Sequence, residues 1–209
     1  MGARWIFDGH IAGIGTGSGL RAVVGIWAAS PFGPFADVMV QEPSGHRLLL
    51  APAQDVADFI SSTYRFDEVR VVGVSGRLEH RALTVDAGPL DIRARLGGRT
   101  LLGRTLRAVP RPLAVHPRWL GIISPIAGLL SGGSRTAGTA GSGRREFYGV
   151  SDLHAIASAV VCWNGTDAGA LAPIAPAVTF GFSSVPPRPS LARVRTTIVE
   201  AKHPRPPQH

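Results

Sequence analysis

Cysteine and lysine are almost absent from this sequence, and each shortage argues against a class of chemistry. Cys162 is the single cysteine, so an intramolecular disulfide and a structural zinc site built from thiolates are excluded. Lys202 is the single lysine, and it lies in a proline-rich tail. Schiff-base catalysis needs a lysine whose pKa is lowered by burial or by a neighbouring cation, and a Walker-type phosphate loop needs a lysine as well. The sequence therefore argues against both.

Complete versions of other common motifs are missing too. Segment 13–19 is rich in glycine but lacks G-x-G-x-x-G spacing, and a strand-like run follows where a dinucleotide-binding helix should begin, so we interpret it as a hairpin. Ser18 and Ser142 lie between glycines without the spacing of a nucleophile elbow. His46 and His80 lack a closely spaced metal-binding partner, so no metal site and no cofactor is predicted.

The N-terminal residues lack the apolar run of a signal peptide. Asp8 and His10 fall within the first ten residues, whereas a signal peptide needs about 7–15 uninterrupted apolar residues there. We therefore expect a cytoplasmic protein. A peripheral position at the inner face of the membrane stays open because of the charge pattern described next.

No acidic residue occurs between Asp91 and Glu146. That segment contains ten arginines and carries +10, so with a formal net charge of +8 the remainder of the chain carries −2. Arginines mixed with apolar residues are typical of helices on an anionic membrane surface, but run 119–130 is too short to cross a bilayer, which needs roughly 20 apolar residues. The arginines could instead bind the phosphate or carboxylate of a ligand. Alternatively, they reflect coding bias around a buried helix. Nucleic acid is the least favoured partner, because no recognition module is present.

The pattern of apolar runs predicts a folded, β-rich chain. With 44% hydrophobic and 17% charged residues, the sequence is too apolar for disorder throughout. Short β-branched runs separated by turn residues predict strands, with 178–182 among them, and 55–64 has helical spacing. We predict one α+β domain over residues 1–200 with a mainly antiparallel sheet, sandwich or barrel-like. It would carry one short helix, a basic helical insertion at about 99–130 and a flexible loop at 131–143, before a disordered tail at 201–209.

Asp152 and His154 are the candidate catalytic pair. Residues i and i+2 of a strand point to the same face, so the carboxylate could orient the imidazole for acid–base chemistry. Asp8 and His10 have the same spacing, and either pair could also arise by chance in a surface turn. We choose the first pair because it follows a polar and aromatic cluster that could line a pocket. The candidate ligand-binding residues are Arg104, Arg107, Arg144, Arg145 and Tyr148.

Three functional hypotheses follow from these features. The leading one is a binding domain for a small hydrophobic or anionic ligand, whose acidic group would meet arginines of the basic segment. The second is an enzyme that uses Asp152 and His154, with Arg144, Arg145 or Tyr148 as electrostatic stabilisers. The third is a peripheral membrane-surface protein that uses 99–130 as its contact.

Overall fold

The computed structural model describes residues 4–108, 137–139, 144–181 and 185–200, and these are mostly β-strand. The strands in this part of the chain are β1 (Arg4–Thr16), β2 (Arg21–Ala29), β3 (Phe35–Gln41), β4 (Arg47–Ala51), β5 (Glu68–Val71), β6 (Ser75–Glu79), β7 (Ala82–Ala87), β8 (Leu90–Arg99), β9 (Ala137–Thr139), β10 (Arg144–Trp163), β11 (Thr166–Asp167), β12 (Leu171–Ala172) and β13 (Ser190–Glu200). The helices are α1 (Gln54–Ser61) and α2 (Leu101–Ala108).

One mixed sheet contains these strands and curls into a half-barrel. Its main path runs in the order β5-β4-β3-β2-β1-β13-β10-β8-β7-β6, while β9 and β11 pair with β10 and β12 pairs with β1. Neighbouring strands in the described chain are antiparallel except β4 and β5, which are parallel. The predicted β-rich class is confirmed. The sheet, however, is mixed because a helix between β4 and β5 returns the chain to the same edge in the same direction.

Apolar side chains cover both faces of the sheet where β1 to β4 lie. On the inner face, residues such as Val24 and Val38 meet Leu83 and Ile92 from β7 and β8 across the curl. On the outer face, a second cluster packs beneath α1 and includes Phe180 from the chain before β13. The buried parts of β2, β3 and β4 are therefore mostly apolar rather than alternating, because both faces are covered there.

Helix α1 forms the connection between the two parallel strands. The spacing of Val56 and Ile60 predicts one buried face, and both side chains are buried in the structure. The helix packs on β4 and β5 and covers the outer cluster. The helix ends at Ser61, before the predicted end at residue 64, because the chain leaves the helix at Ser62.

The basic segment is described only in part. Helix α2 lies within the predicted helical insertion, which continues beyond it outside the described residues, as does the tail at 201–209. Within the predicted loop at 131–143, β9 pairs with β10. Among the described residues, neither helix is long and apolar enough to cross a membrane.

The strand predicted at 178–182 is wrong for its described residues. Val178 and Phe180 are buried, but they belong to an irregular connection. The Thr179 N–H donates to Gln41 Oε1, and the Phe180 carbonyl accepts from the Arg65 N–H. The backbone hydrogen bonds of this apolar run are therefore made to a side chain and a loop rather than to a sheet ladder.

Candidate functional site

A pocket opens between the outer face of the sheet and helix α1. Alternate residues of a strand share a face, so β1, β2, β3 and β13 each contribute residues spaced by two or four positions. The remaining walls come from α1 and the residue shortly after it. The lining residues are Phe7, Ile11, Val23, Gly25, Trp27, Phe35, Asp37, Met39, Phe59, Ile60, Tyr64, Thr196 and Ile198.

Aromatic rings form a continuous wall around this space. Phe7 lies at the centre of the group, with its ring centroid 5.5 Å from that of Trp27 and 5.4 Å from that of Phe59. The Phe7 and Trp27 rings meet edge to face, at 66° between their planes. Phe35 is also edge-on to Phe7. Such ring pairs hold one another in defined orientations, so the wall of the pocket is preorganised.

Asp37 places a carboxyl group among these apolar side chains. Asp37 is 3% exposed, and Trp27 Nε1 donates a hydrogen bond of 2.8 Å to its Oδ1. Burial raises the pKa of Asp37 to about 6, and the Trp27 hydrogen bond opposes that rise only in part. No basic side chain in the described part of the chain forms an ion pair with it. A buried carboxyl with a perturbed pKa in a cleft is a candidate functional group.

Gly25 makes room for the bond between Asp37 and Trp27. It is the cross-strand partner of Asp37 in the ladder between β2 and β3. A Cβ atom at this position would collide with Asp37 Oδ1 and would lie 2.6 Å from Trp27 Nε1. The glycine is therefore required by the close approach of the carboxyl and indole groups.

Thr196 contributes a second polar group to the pocket. It lies opposite Phe7 in the ladder between β1 and β13 and is 3% exposed. Its Oγ1 has no hydrogen-bond partner among the described residues. A buried hydroxyl without a partner is costly, and one that lines a cavity is available to a ligand.

The pocket has a small interior and an open mouth. The interior space is about 50 Å³. The interior therefore suits a few water-sized groups, such as the head group of a larger ligand.

The predicted pair Asp152 and His154 comes together on β10, outside the pocket. Asp152 Oδ2 lies 3.5 Å from His154 Nε2, and Arg99 Nε donates to Asp152 Oδ1 at 2.8 Å. Burial by itself would raise the pKa of Asp152, but the hydrogen bonds from Arg99 and the Leu153 N–H outweigh it, so the pKa is lowered. Asp152 is thus a charged, oriented carboxylate. A catalytic role for the pair stays a prediction.

The second Asp–His pair lies on the same sheet face as the first. Arg193 of β13 is opposite His10 on one side and Asp152 on the other, and it forms an ion pair with Asp8. Burial and the nearby Arg193 lower the pKa of His10. We refer to Asp8, His10, Arg193, Asp152 and His154 as the inner-face polar row. Arg193 and Thr196 are three positions apart, so this row and the pocket lie on opposite faces of β13.

Of the predicted ligand-binding residues, only Arg104 has a described side chain, and it is not among the residues that line the pocket. Arg104 is exposed on α2. The side chains of Arg107 on α2, and of Arg144, Arg145 and Tyr148 on β10, lie outside the described part of the structure. Their ligand-binding role therefore stays a prediction.

Sequence reasoning missed Asp37, Trp27 and Thr196. A signal for Asp37 exists, because it is the only charged residue in the apolar run from Phe35 to Val40. A carboxyl within a strand whose neighbours on both faces are apolar indicates a buried charge. No comparable signal marks Thr196.

Comparisons with known proteins leave the family of this chain open. No protein-family model matches it, and no curated protein matches it. An acetoacetate decarboxylase from Legionella pneumophila is similar in structure with a TM-score of 0.42 and 11% identity, covering 95% of this chain and 86% of that one. A second acetoacetate decarboxylase structure has a TM-score of 0.45 and 7% identity, over 95% of this chain and 87% of that one. A putative AttH from Nitrosomonas europaea has a TM-score of 0.30 and 13% identity, over 98% of this chain and 55% of that one. These scores are too low to assign an activity, so the function is argued from the residues of the site.

Proposed function

We propose that the protein binds a small, mainly apolar ligand in the pocket between α1 and the outer face of the sheet. The observation that carries this proposal is an open cavity walled by aromatic rings that also contains an isolated buried carboxyl. Apolar lining with a few convergent polar groups is the usual composition of small-molecule sites. The rings supply affinity through burial, and the polar groups fix orientation.

The pocket favours a hydrophobic ligand over an anionic one. Asp37 is the only residue among the described lining that carries a charge at neutral pH. A ligand carboxylate or phosphate would bring a like charge to it in a poorly solvated space, and such a contact is repulsive. Arg104, one of the arginines expected to meet an anionic group, is exposed on α2 and is not among the described lining residues.

Binding of benzyl alcohol, measured by isothermal titration calorimetry, tests this proposal. Its ring matches the aromatic walls and its hydroxyl can reach the polar groups. We expect saturable binding to the wild-type protein and loss of that binding in Val23→Phe, because Val23 lines the pocket and a larger ring would fill it.

Val160→Phe is the matched control. Val160 is 58% exposed on β10, away from the pocket, so the same substitution there should leave the binding isotherm unchanged. Circular dichroism and a thermal melt would verify that both variants fold. Absence of saturable binding to the wild-type protein, or equal binding by the two variants, would contradict the proposal.

A further inference from the structure

We propose that the pocket recognises a protonated amine, with the ammonium group held against the Asp37 carboxylate in the aromatic-lined pocket. This inference rests on the proposed function and names the chemical class of the ligand. It follows from three observations, which concern charge, aromatic lining and size.

The first observation is that Asp37 lacks the counter-charge that several other described acidic groups have. Arg47 Nη2 lies 2.7 Å from Asp67 Oδ1, Arg70 Nε lies 2.6 Å from Glu68 Oε1, and Asp152 is paired with Arg99. Those acids are half-buried or exposed, whereas Asp37 is almost fully buried and has only the neutral indole of Trp27. An isolated charge in a poorly solvated space is costly unless a cation pairs with it. An ammonium ligand supplies that cation.

The second observation is that aromatic rings line the same pocket as the carboxyl. The faces of aromatic rings attract cations, and aromatic cages are a general means of binding alkylammonium groups. Phe7, Trp27, Phe35 and Phe59 line the same pocket as Asp37, and the Trp27 indole donates a hydrogen bond to Asp37 Oδ1. The carboxylate and the rings therefore favour the same kind of group.

The third observation is the size of the space. An interior of about 50 Å³ is too small for a whole drug-sized ligand but suits a head group such as an ammonium. The open mouth accommodates the apolar remainder of the molecule. Ligand orientation follows, with the amine innermost and the apolar part towards the mouth.

Three ligands with the same ring and different head groups test the proposal. Calorimetric titrations near neutral pH would compare benzylamine, benzyl alcohol and benzoate, which carry a cation, a neutral hydroxyl and an anion. Asp37 is then mostly ionised, since its pKa is about 6. We expect benzylamine to bind at least about tenfold more tightly than benzyl alcohol and benzoate to bind most weakly.

Two variants locate the effect. Asp37→Asn keeps an oxygen for the Trp27 hydrogen bond and removes the charge, so it should weaken benzylamine binding about tenfold or more and change benzyl alcohol binding less than about threefold. Asp86→Asn makes the same substitution at an exposed position on β7 and should change neither affinity.

The outcomes separate the two proposals. If benzyl alcohol binds as tightly as benzylamine, or if Asp37→Asn binds benzylamine like the wild-type protein, the amine proposal is overturned and ligand binding in the pocket stands. If benzoate binds most tightly, the charge preference is reversed and the amine proposal is again wrong. If none of the three ligands binds, both proposals fail.

Discussion

The outer-face pocket and the inner-face polar row contain carboxyl groups in opposite electrostatic states. Asp152, in the polar row, is held by Arg99 and has a lowered pKa. Asp37, in the pocket, is held by a neutral indole and has a raised pKa. Both are set in the same sheet, a few strands apart. The difference shows that the fold pairs the acids of the polar row with arginines, whereas Asp37 has no cationic partner among the described residues.

Scarcity of basic residues does not explain the isolation of Asp37. The chain has 22 basic and 14 acidic residues, so partners are abundant. Arg193 and Arg195 both contact Asp8 on the inner face of the sheet. The neighbours of Asp37 are instead apolar or aromatic, because β2 and β3 are covered on both faces. Charge compensation in this protein is thus local to particular faces of the sheet.

The largest effect on stability should come from filling the space in which the Asp37 and Trp27 side chains meet. Gly25→Ala places a methyl group against both side chains, so the hydrogen bond between them would break and β2 or β3 would shift. We expect the free energy of unfolding to fall by about 3 kcal/mol, measured by urea denaturation.

Gly98→Ala serves as its control. No atom lies within 4 Å of a Cβ built at Gly98. The free energy of unfolding of this variant should therefore stay within about 0.5 kcal/mol of the wild-type value. Equal losses in the two variants would show that the effect reflects strand glycines in general rather than the contact between Asp37 and Trp27.

The next largest effect is a pH-dependent gain of stability in Asp37→Asn. The pKa of Asp37 rises from 3.8 to about 6 on folding, so its favourable contribution is complete below 3.8 and is lost as the pH rises through 6. At neutral pH the variant should therefore be more stable than the wild-type protein by roughly 2–3 kcal/mol, and the gain should vanish near pH 4. Urea denaturation at both pH values measures it. A gain that does not depend on pH would point to packing instead of charge.

The polar row should respond in the opposite direction. The pKa of Asp152 is lower in the folded protein than its usual 3.8, so it stabilises the fold above that value and loses this contribution as the pH falls below it. Asp152→Asn should lower the free energy of unfolding by about 1 kcal/mol at neutral pH, because the ion pair with Arg99 is half-exposed. The same denaturation series at neutral and acidic pH would reveal it. A stabilised variant would remove the contrast with Asp37.

The smallest effect concerns the unsatisfied hydroxyl. Thr196→Val removes an atom that has no described hydrogen-bond partner, so the free energy of unfolding should stay equal or rise by up to about 1 kcal/mol. Thr16→Val is the comparison, because the Thr16 hydroxyl donates to the Leu20 carbonyl at 3.0 Å. That variant should lose about 1 kcal/mol in the same measurement. Similar losses at both positions would show that Thr196 has a partner in solution.

Local sequence signals were sufficient for several elements. The apolar spacing in α1 and the turn residues between β3 and β4 predict those elements from a few neighbouring residues. The spacing of Asp152 and His154 also predicts their approach, because it depends only on the two-residue period of a strand. These features require no knowledge of which strands become neighbours.

The pocket could not be assembled in the same way. Phe7 and Thr196 become neighbours because β13, from the far end of the chain, inserts between β1 and β10. Phe59 reaches Phe7 because α1 folds back over the sheet. Loop-spanning contacts of this kind depend on the whole topology, and no single stretch of sequence encodes them. The parallel pairing of β5 was missed for the same reason.

Helix α1 is both a wall of the pocket and the link that holds β5 at the edge of the sheet. Phe59 and Ile60 line the cavity, while the helix packs on β4 and on β5. A motion that lifts α1 therefore also weakens the last ladder of the sheet, from Leu48 opposite Glu68 to Ala51 opposite Val71. Such linked segments open as one cooperative unit, and amide hydrogen exchange detects their opening. A ligand that seals α1 onto the sheet would thus slow exchange at an edge strand that the ligand never touches.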